Sequence, residues 1–335
     1  MRPLPFVLGA AALLALPAAA PAAADDSSPS SFTIEDPRIT ESSGLAASRV
    51  HPGVYWTHND SSDGPYVYAV DGRTGKTVAR IALRGIGSPR DVEAISVGPD
   101  GNVYVGDIGD NLGGQWPHVW IYRFPEPKRL RDTTVTATQF TVQYQGGPRN
   151  AEALMVHPKT GRVYIASKCD ENGGLYAGPA TLSPTGVNVF RRVSGIDMEV
   201  TDGAFSPDGS RLVLRGYFTA AEYRWRGGKP ELLKEEPGVP LQRQGEAVTF
   251  TPDGGTLMYG TEGALSKVSA VDLGGELLPD ATAKEQAKHG GGPGDRDDER
   301  SAQEKNGTLL KGVLTFGAAT VLFLGLRRLV RRRDA

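Results

Sequence analysis

Cysteine is nearly absent: Cys169 is the single one in 335 residues. A disulfide framework and any multi-cysteine zinc or iron–sulfur site are thereby excluded. Cys169 itself reads as a packed or incidental thiol rather than a nucleophile. Histidine is scarce too. His51, His58, His118, His157 and His289 are the five, and none forms the His-Glu-x-x-His pattern of a zincin. No Gly-x-Ser-x-Gly elbow is present, which removes the usual serine-hydrolase signature. Gly85-x-Gly87 and Gly290-Gly291-Gly292 read as a turn and a tether, not as phosphate loops. Basic charge is also lacking in the middle of the chain. With Arg2, Lys311, the five arginines after residue 326 and Asp334 set aside, 30 bases face 38 acids, a net charge of −8. A nucleic-acid binder, which wants a basic face, is not expected.

The long apolar runs stand at the two ends. Residues 1–24 read as an export signal: Arg2, an Ala/Leu-rich run from Phe6 to Ala20, then Ala22-Ala23-Ala24 as a small-x-small cleavage site. Residues 25–31 are a linker. Leu309 to Leu326 is apolar over 18 residues, enough at about 1.5 Å each to cross a hydrocarbon core, so a transmembrane helix is expected over 307–326. Lys311 is close enough to the outer end to snorkel. The arginine cluster in 327–335 sets that tail in the cytoplasm and everything before the helix outside. Leu278-Pro279-Asp280-Ala281-Thr282 lacks the Thr-Gly step of a sortase signal and lies far from the apolar run. Residues 279–306, rich in charge and glycine, read as a disordered tether. The expected location is the cell membrane, single-pass, with an extracellular N-terminal domain.

Residues 32–278 contain internal copies. Asp91-Val-Glu-Ala-Ile-Ser-Val-Gly-Pro-Asp-Gly101 aligns with Ala151-Glu-Ala-Leu-Met-Val-His-Pro-Lys-Thr-Gly161, with Val200-Thr-Asp-Gly-Ala-Phe-Ser-Pro-Asp-Gly209 and with Gly245-Glu-Ala-Val-Thr-Phe-Thr-Pro-Asp-Gly254. A fifth copy comes first, as Ser43-Gly-Leu-Ala followed by Val54-Tyr-Trp. Each is a short apolar strand, a turn and a second β-rich strand, and most are followed by two more strands. Four antiparallel strands repeated around an axis make an all-β propeller of five blades, or six if the long second copy hides another. A β-sandwich, the alternative, does not account for the recurring turn. The last copy has only three clear strands. Phe32 to Ile39 is expected to supply the fourth and close the ring, with Pro37 on the edge strand.

Two constellations could carry chemistry. Arg90-x-x-Glu93, Arg149-x-x-Glu152 and Arg243-x-x-Glu246 recur at one repeat position, with Asp202 one residue along in the fourth copy. They converge near the axis, either as a satisfied Arg–carboxylate network or as a site for a small polar ligand. The second follows the second strands: His58-Asn59-Asp60, Asp107-Ile-Gly-Asp110-Asn111 and Asp170-Glu-Asn172. These are either Asx turns and surface caps or oxygen donors for a divalent ion, with Asp60, Asp107, Asp110 and Asn111 as candidate ligands and Ca2+ as the candidate ion.

Ser42-Ser-Gly-Leu45, the Glu-Ala-(Ile/Leu/Val) strands and Gly106-Asp-Ile-Gly-Asp-Asn111 resemble exported bacterial propellers of the WD-repeat-like and phytase-esterase-like groups. The likeness covers about residues 32–275, and actinobacterial members with the same signal-and-anchor layout are the most similar. Asp202-Gly203 before Ala-Phe-Ser-Pro also resembles a metal-ligand position of gluconolactonase-type propellers, with Glu93 or Asn111 as partners. The first expectation is a surface-tethered binding module for a ligand or protein. The alternative is a metal-dependent hydrolase of lactonase or phosphoesterase type, with its site at the axis.

Overall fold

The computed structural model describes residues 29–289 except 62, 170 and 171. Up to residue 273 the described residues are all-β. After β1 (Phe32–Thr33), the first blade is β2 (Ser42–Ala47), β3 (Val54–Asn59), β4 (Tyr66–Asp71) and β5 (Thr77–Arg84). The second begins with β6 (Val92–Val97), β7 (Asn102–Asp107) and β8 (Val119–Pro125). It leaves the blade for β9 (Thr133–Thr136) and returns as β10 (Thr138–Tyr144). The third is β11 (Ala151–Val156), β12 (Val163–Ser167), β13 (Gly174–Ala177) and β14 (Val187–Gly195). The fourth is β15 (Asp202–Phe205), β16 (Arg211–Arg215), β17 (Ala220–Arg226) and β18 (Lys229–Leu232). The fifth is β19 (Gly245–Phe250), β20 (Thr256–Thr261) and β21 (Lys267–Asp272).

The inner strands touch in turn, β2 to β6 to β11 to β15 to β19, and β19 returns to β2. That is a propeller ring of five blades. The long second copy hides no sixth. Its extra strand, β9, pairs in parallel with β5, and β10 pairs in parallel with β14 of the third blade. There is accordingly no single core. Five apolar clusters fill the five seams between neighbouring blades, for example Trp56 and Ile81 against Ile95, Val103 and Phe124 between the first and second. Stacked sheets with no such seams, as in a sandwich, are not what is seen. The recurring turns work as their composition requires: Gly101, Gly161, Gly209 and Gly254 all carry φ between 68 and 75°, which a side chain disfavours.

Closure comes from the N-terminal strand, as expected. Phe32 pairs with Val268 and Thr33 with Lys267 on the open edge of β21, and Ile34 N donates to Ser266 O at 2.9 Å. Ile34 and Ile39 are buried in the seam between the fifth and first blades. The strand is shorter than the sequence suggests, and Pro37 lies in the following turn rather than on the edge strand. Deleting residues 32–40 should lower the melting temperature by well over 10 °C, whereas deleting 25–31 should change it little. Equal melting of the two deletions would mean that closure is made elsewhere.

The stretch read as a tether from residue 279 does not begin as one. After a 3₁₀ turn at Gly275–Leu277, helix α1 spans Asp280–His289. Its first turn is held to the fourth and fifth blades: Arg211 Nη1 meets Asp280 Oδ1 at 2.9 Å, and Thr282 Oγ1 donates to Asp253 O at 2.6 Å. Composition could not show this, because the contacts that hold it lie in distant turns. Among the described residues no helix is long and apolar enough to cross a membrane. The segments read as export signal, membrane helix and basic tail (1–24, 307–326 and 327–335) lie outside them.

Candidate functional site

Three of the five inner strands aim a glutamate at the axis, and the device is a β-bulge. In the pairing of β6 with β7 the register steps from Val92–Asp107 to Ala94–Gly106, passing over Glu93. Between β11 and β12 it passes over Glu152, and between β19 and β20 over Glu246. A bulged residue is freed from the ladder and its side chain is redirected. In the first blade the skipped pair is Gly44-Leu45. Gly44 has φ of 56°, and a Cβ there would lie 2.7 Å from His58 Nε2, so this copy can offer no side chain. The fourth blade has no bulge. Asp202 pairs regularly with Arg215, and its carboxylate accepts Gly203 N at 2.7 Å and Val248 N at 2.8 Å, stitching β15 to β19. Asp202 is therefore a buried structural clamp and not part of the axial site.

Glu93, Glu152 and Glu246 line an axial cavity of about 210 Å³, together with Asp60, Asn111, Lys168, Tyr217 and Glu262. Part of each constellation seen in the sequence thus shares one site: the three glutamates of the first with Asp60 and Asn111 of the second. Asp60 comes from the β3–β4 loop, and carboxylate oxygens of Asp60, Asp91 and Glu93 lie within 4.8 Å of one another. Asn111 Nδ2 donates to Asp91 Oδ2 at 3.3 Å. Among the described residues Lys168 is the one cation lining the cavity, donating to Glu152 Oε1 at 2.6 Å and to the Tyr217 hydroxyl at 2.5 Å.

Such crowding of like charge away from water disfavours ionisation. Burial, then the neighbouring Asp91, pushes the Asp60 carboxyl up to about 7. Burial, then Glu152 and Asp60, holds Glu93 well above the ordinary carboxylate range. Glu246 is pushed up to about 7 by burial, against the hydrogen bond from Gln244. Burial raises Glu152 to about 8 although Lys168 pulls it back. Burial works to lower Lys168, but contact with Glu152 outweighs it and the ammonium is held more firmly than usual. Asp60 Oδ1 and Glu152 Oε2 are buried without a hydrogen-bond partner.

The arginines of the Arg-x-x-Glu repeat do not reach the axis, and the expected Arg–carboxylate ring is not formed. The Arg90 guanidinium is sandwiched between Trp116 and Trp120, at 3.9 and 3.7 Å from the ring centres, and donates to His118 O. Arg149 lies over the rings of Tyr176 and Tyr144 and donates to the Tyr176 hydroxyl. Arg243 is exposed. Each arginine precedes the bulge and so leaves the strand on another side, where Arg90 and Arg149 find aromatic faces and Arg243 finds solvent. Two candidate metal ligands also serve as braces. Asp107 accepts Arg90 N, Asp91 N and the Tyr122 hydroxyl, which fixes the backbone that carries Asp91 and leads to Glu93. Asp110 accepts Trp116 N at 2.6 Å and shapes the loop that presents Asn111. His58 is buried, and burial lowers it to about 4, so it stays neutral at physiological pH. Asn59 bridges Thr40 N and Glu41 N. Asp170 and Glu171 lie outside the described residues.

Asp91, Lys168, Tyr217 and Glu262 were not singled out in the sequence. A signal existed: Asp60, Lys168, Tyr217 and Glu262 each stand one or two residues after the second strand of their blade.

No family model and no curated protein matches the sequence. Among solved structures, the chain is similar to hydrazine synthase of Kuenenia stuttgartiensis, at 14% identity and a TM-score of 0.39 over 66% of this chain. It spans 61% of that chain's length. It is also similar to a gluconolactonase from Xanthomonas campestris, at 13% identity and a TM-score of 0.42 over 72% of this chain and 89% of the other.

Proposed function

We propose that this propeller is a binding module whose axial cavity takes a divalent cation and uses it, with Lys168, to hold a small oxygen-bearing ligand. The observation that carries the reading is the convergence of Asp60, Asp91 and Glu93 at a cavity to which, among the described residues, Lys168 alone brings a positive charge. Carboxylates brought together against their own repulsion fit a site completed by a cation. An all-oxygen donor set, the carboxylates of Asp60, Asp91 and Glu93, suits Ca2+ better than a softer metal. The signal-like residues 1–24 and the apolar run at 307–326 support placing the propeller outside the cell on a membrane anchor.

The test is calcium titration of the full chain after chelation, followed by calorimetry. One site is expected, and Glu93→Gln or Asp60→Asn should weaken it at least tenfold with an unchanged circular dichroism spectrum. No uptake of Ca2+, Mg2+ or Mn2+ at millimolar concentration would falsify the reading.

One observation favours a second reading, a cation-dependent hydrolase. Glu152 and Glu246, raised to about 8 and about 7, titrate where a general acid or base works best. Turnover of a lactone or phosphoester that depends on both added cation and Glu152 would establish it.

A further inference from the structure

Single exposed apolar side chains need no explanation, but a set gathered round a polar opening does. Among the described residues the exposed leucines and phenylalanine are Leu112, Phe218, Leu232, Leu241 and Leu265, from 65% exposed to fully so. Leu232 stands on β18, the outermost strand of its blade. The other four lie on loops that follow a second strand or lead into an inner one, and each of these loops also carries a residue that lines the axial cavity. Leu112 follows Asn111, and Phe218 follows Tyr217. Leu265 comes shortly after Glu262, and Leu241 shortly before Gln244. Among the described residues the turns of the opposite face carry Val50 as their one exposed large apolar side chain. Leu265 has φ of 54°, a left-handed backbone that leucine normally avoids. Its loop is braced by the Ser266 hydroxyl on Thr261 O at 2.5 Å and by Lys267 N on Thr261 Oγ1 at 3.0 Å. In this conformation the Leu265 side chain is exposed to water, and strain of this kind gathers at ligand-binding loops.

We infer that the ligand of the axial site is amphiphilic: an oxygen-bearing head enters the cavity, and an aliphatic body lies over Leu112, Phe218, Leu241 and Leu265 at its mouth. The inference rests on the cation-assisted binding proposed above. A cavity of about 210 Å³ lined by carboxylates, Lys168 and Tyr217 admits a small polar group and nothing apolar. Any larger ligand must leave its remainder at the rim. There it meets a collar whose burial releases water, so affinity grows with the apolar area covered.

The probes are butyrate and octanoate, titrated calorimetrically into the full chain with Ca2+ and again with a chelator. Octanoate should bind about tenfold tighter than butyrate, which corresponds to burial of roughly two of its four extra methylenes. Combining Leu112→Ser, Phe218→Ser and Leu265→Ser should bring octanoate down to the butyrate level. The affinities for butyrate and for Ca2+ should not change. These side chains are exposed, so the variant should fold, and Phe218→Ser alone should give a partial effect. Equal affinity for the two acids, no binding of either, or a preference that survives the triple variant overturns the inference. Failure to bind Ca2+ overturns the proposed function instead, and the comparison in chelator, where Lys168 alone receives the head, then decides the inference by itself.

Discussion

Arg215→Ala should cost roughly 3–5 kcal/mol of stability, the largest loss expected from any single substitution in the ring. Arg215 is fully buried on β16, an uncommon place for an arginine. Its guanidinium donates to Ala247 O at 2.6 Å, to Gly260 O at 2.9 Å and to the Gln242 side chain, and lies over the Tyr259 ring. Burial lowers it to about 10, which still leaves it charged at neutral pH. Ala247 directly follows the bulged Glu246, so Arg215 fastens the strand that delivers one of the axial carboxylates. Truncation strands three acceptors and opens a void. Arg215→Lys should recover only part of the loss, because an ammonium cannot reproduce the planar fork. Denaturant unfolding of the two variants measures this. A loss under about 1 kcal/mol for Arg215→Ala would mean that the carbonyls find other partners.

Without divalent cations the protein should be more stable at pH 5 than at pH 8. Asp60, Glu152 and Glu246 hold their protons in the fold up to about 7, 8 and 7. In the unfolded chain they release them near 4. Between those limits the folded state binds more protons than the unfolded one, so stability falls as pH rises through the window. Saturating Ca2+ should flatten or reverse the trend, because it favours the ionised form and binds only the folded cavity. The measurement is melting temperature from pH 5 to 8 with chelator and with Ca2+. A melting temperature that rises over this range in chelator would contradict the crowded-carboxylate picture.

The repeat made the blades legible because one short pattern, apolar strand and Pro-x-x-Gly or Pro-Asp-Gly turn, recurs where the inner strand turns back in four of the five blades. The missing fourth strand of the last copy pointed to Phe32, and β1 is there. Glu93, Glu152 and Glu246 were legible as axial for the same reason. Their partners were not. The Arg-x-x-Glu spacing invites a local pair, yet the bulge turns the glutamate inward while the arginine meets aromatic rings such as Trp116 and Tyr176, which no local pattern ties to it. Lys168 was missed because loops after the second strands share a position in space but not a residue type. Asp202 misled because the fourth copy keeps the acid and lacks the bulge.

The pairing of Phe32 with Val268 has a kinetic consequence. The first strand to be synthesised is the last to find its partner, and nearly the whole domain must be made before that contact can form. Contacts so distant in sequence slow folding, since chain entropy must be spent before they return anything. Until then β21 presents a bare edge while β1 waits unpaired on the same nascent chain. At high concentration the waiting strand of one molecule can fill the edge of another, so refolding yield should fall with concentration, with swapped dimers among the products.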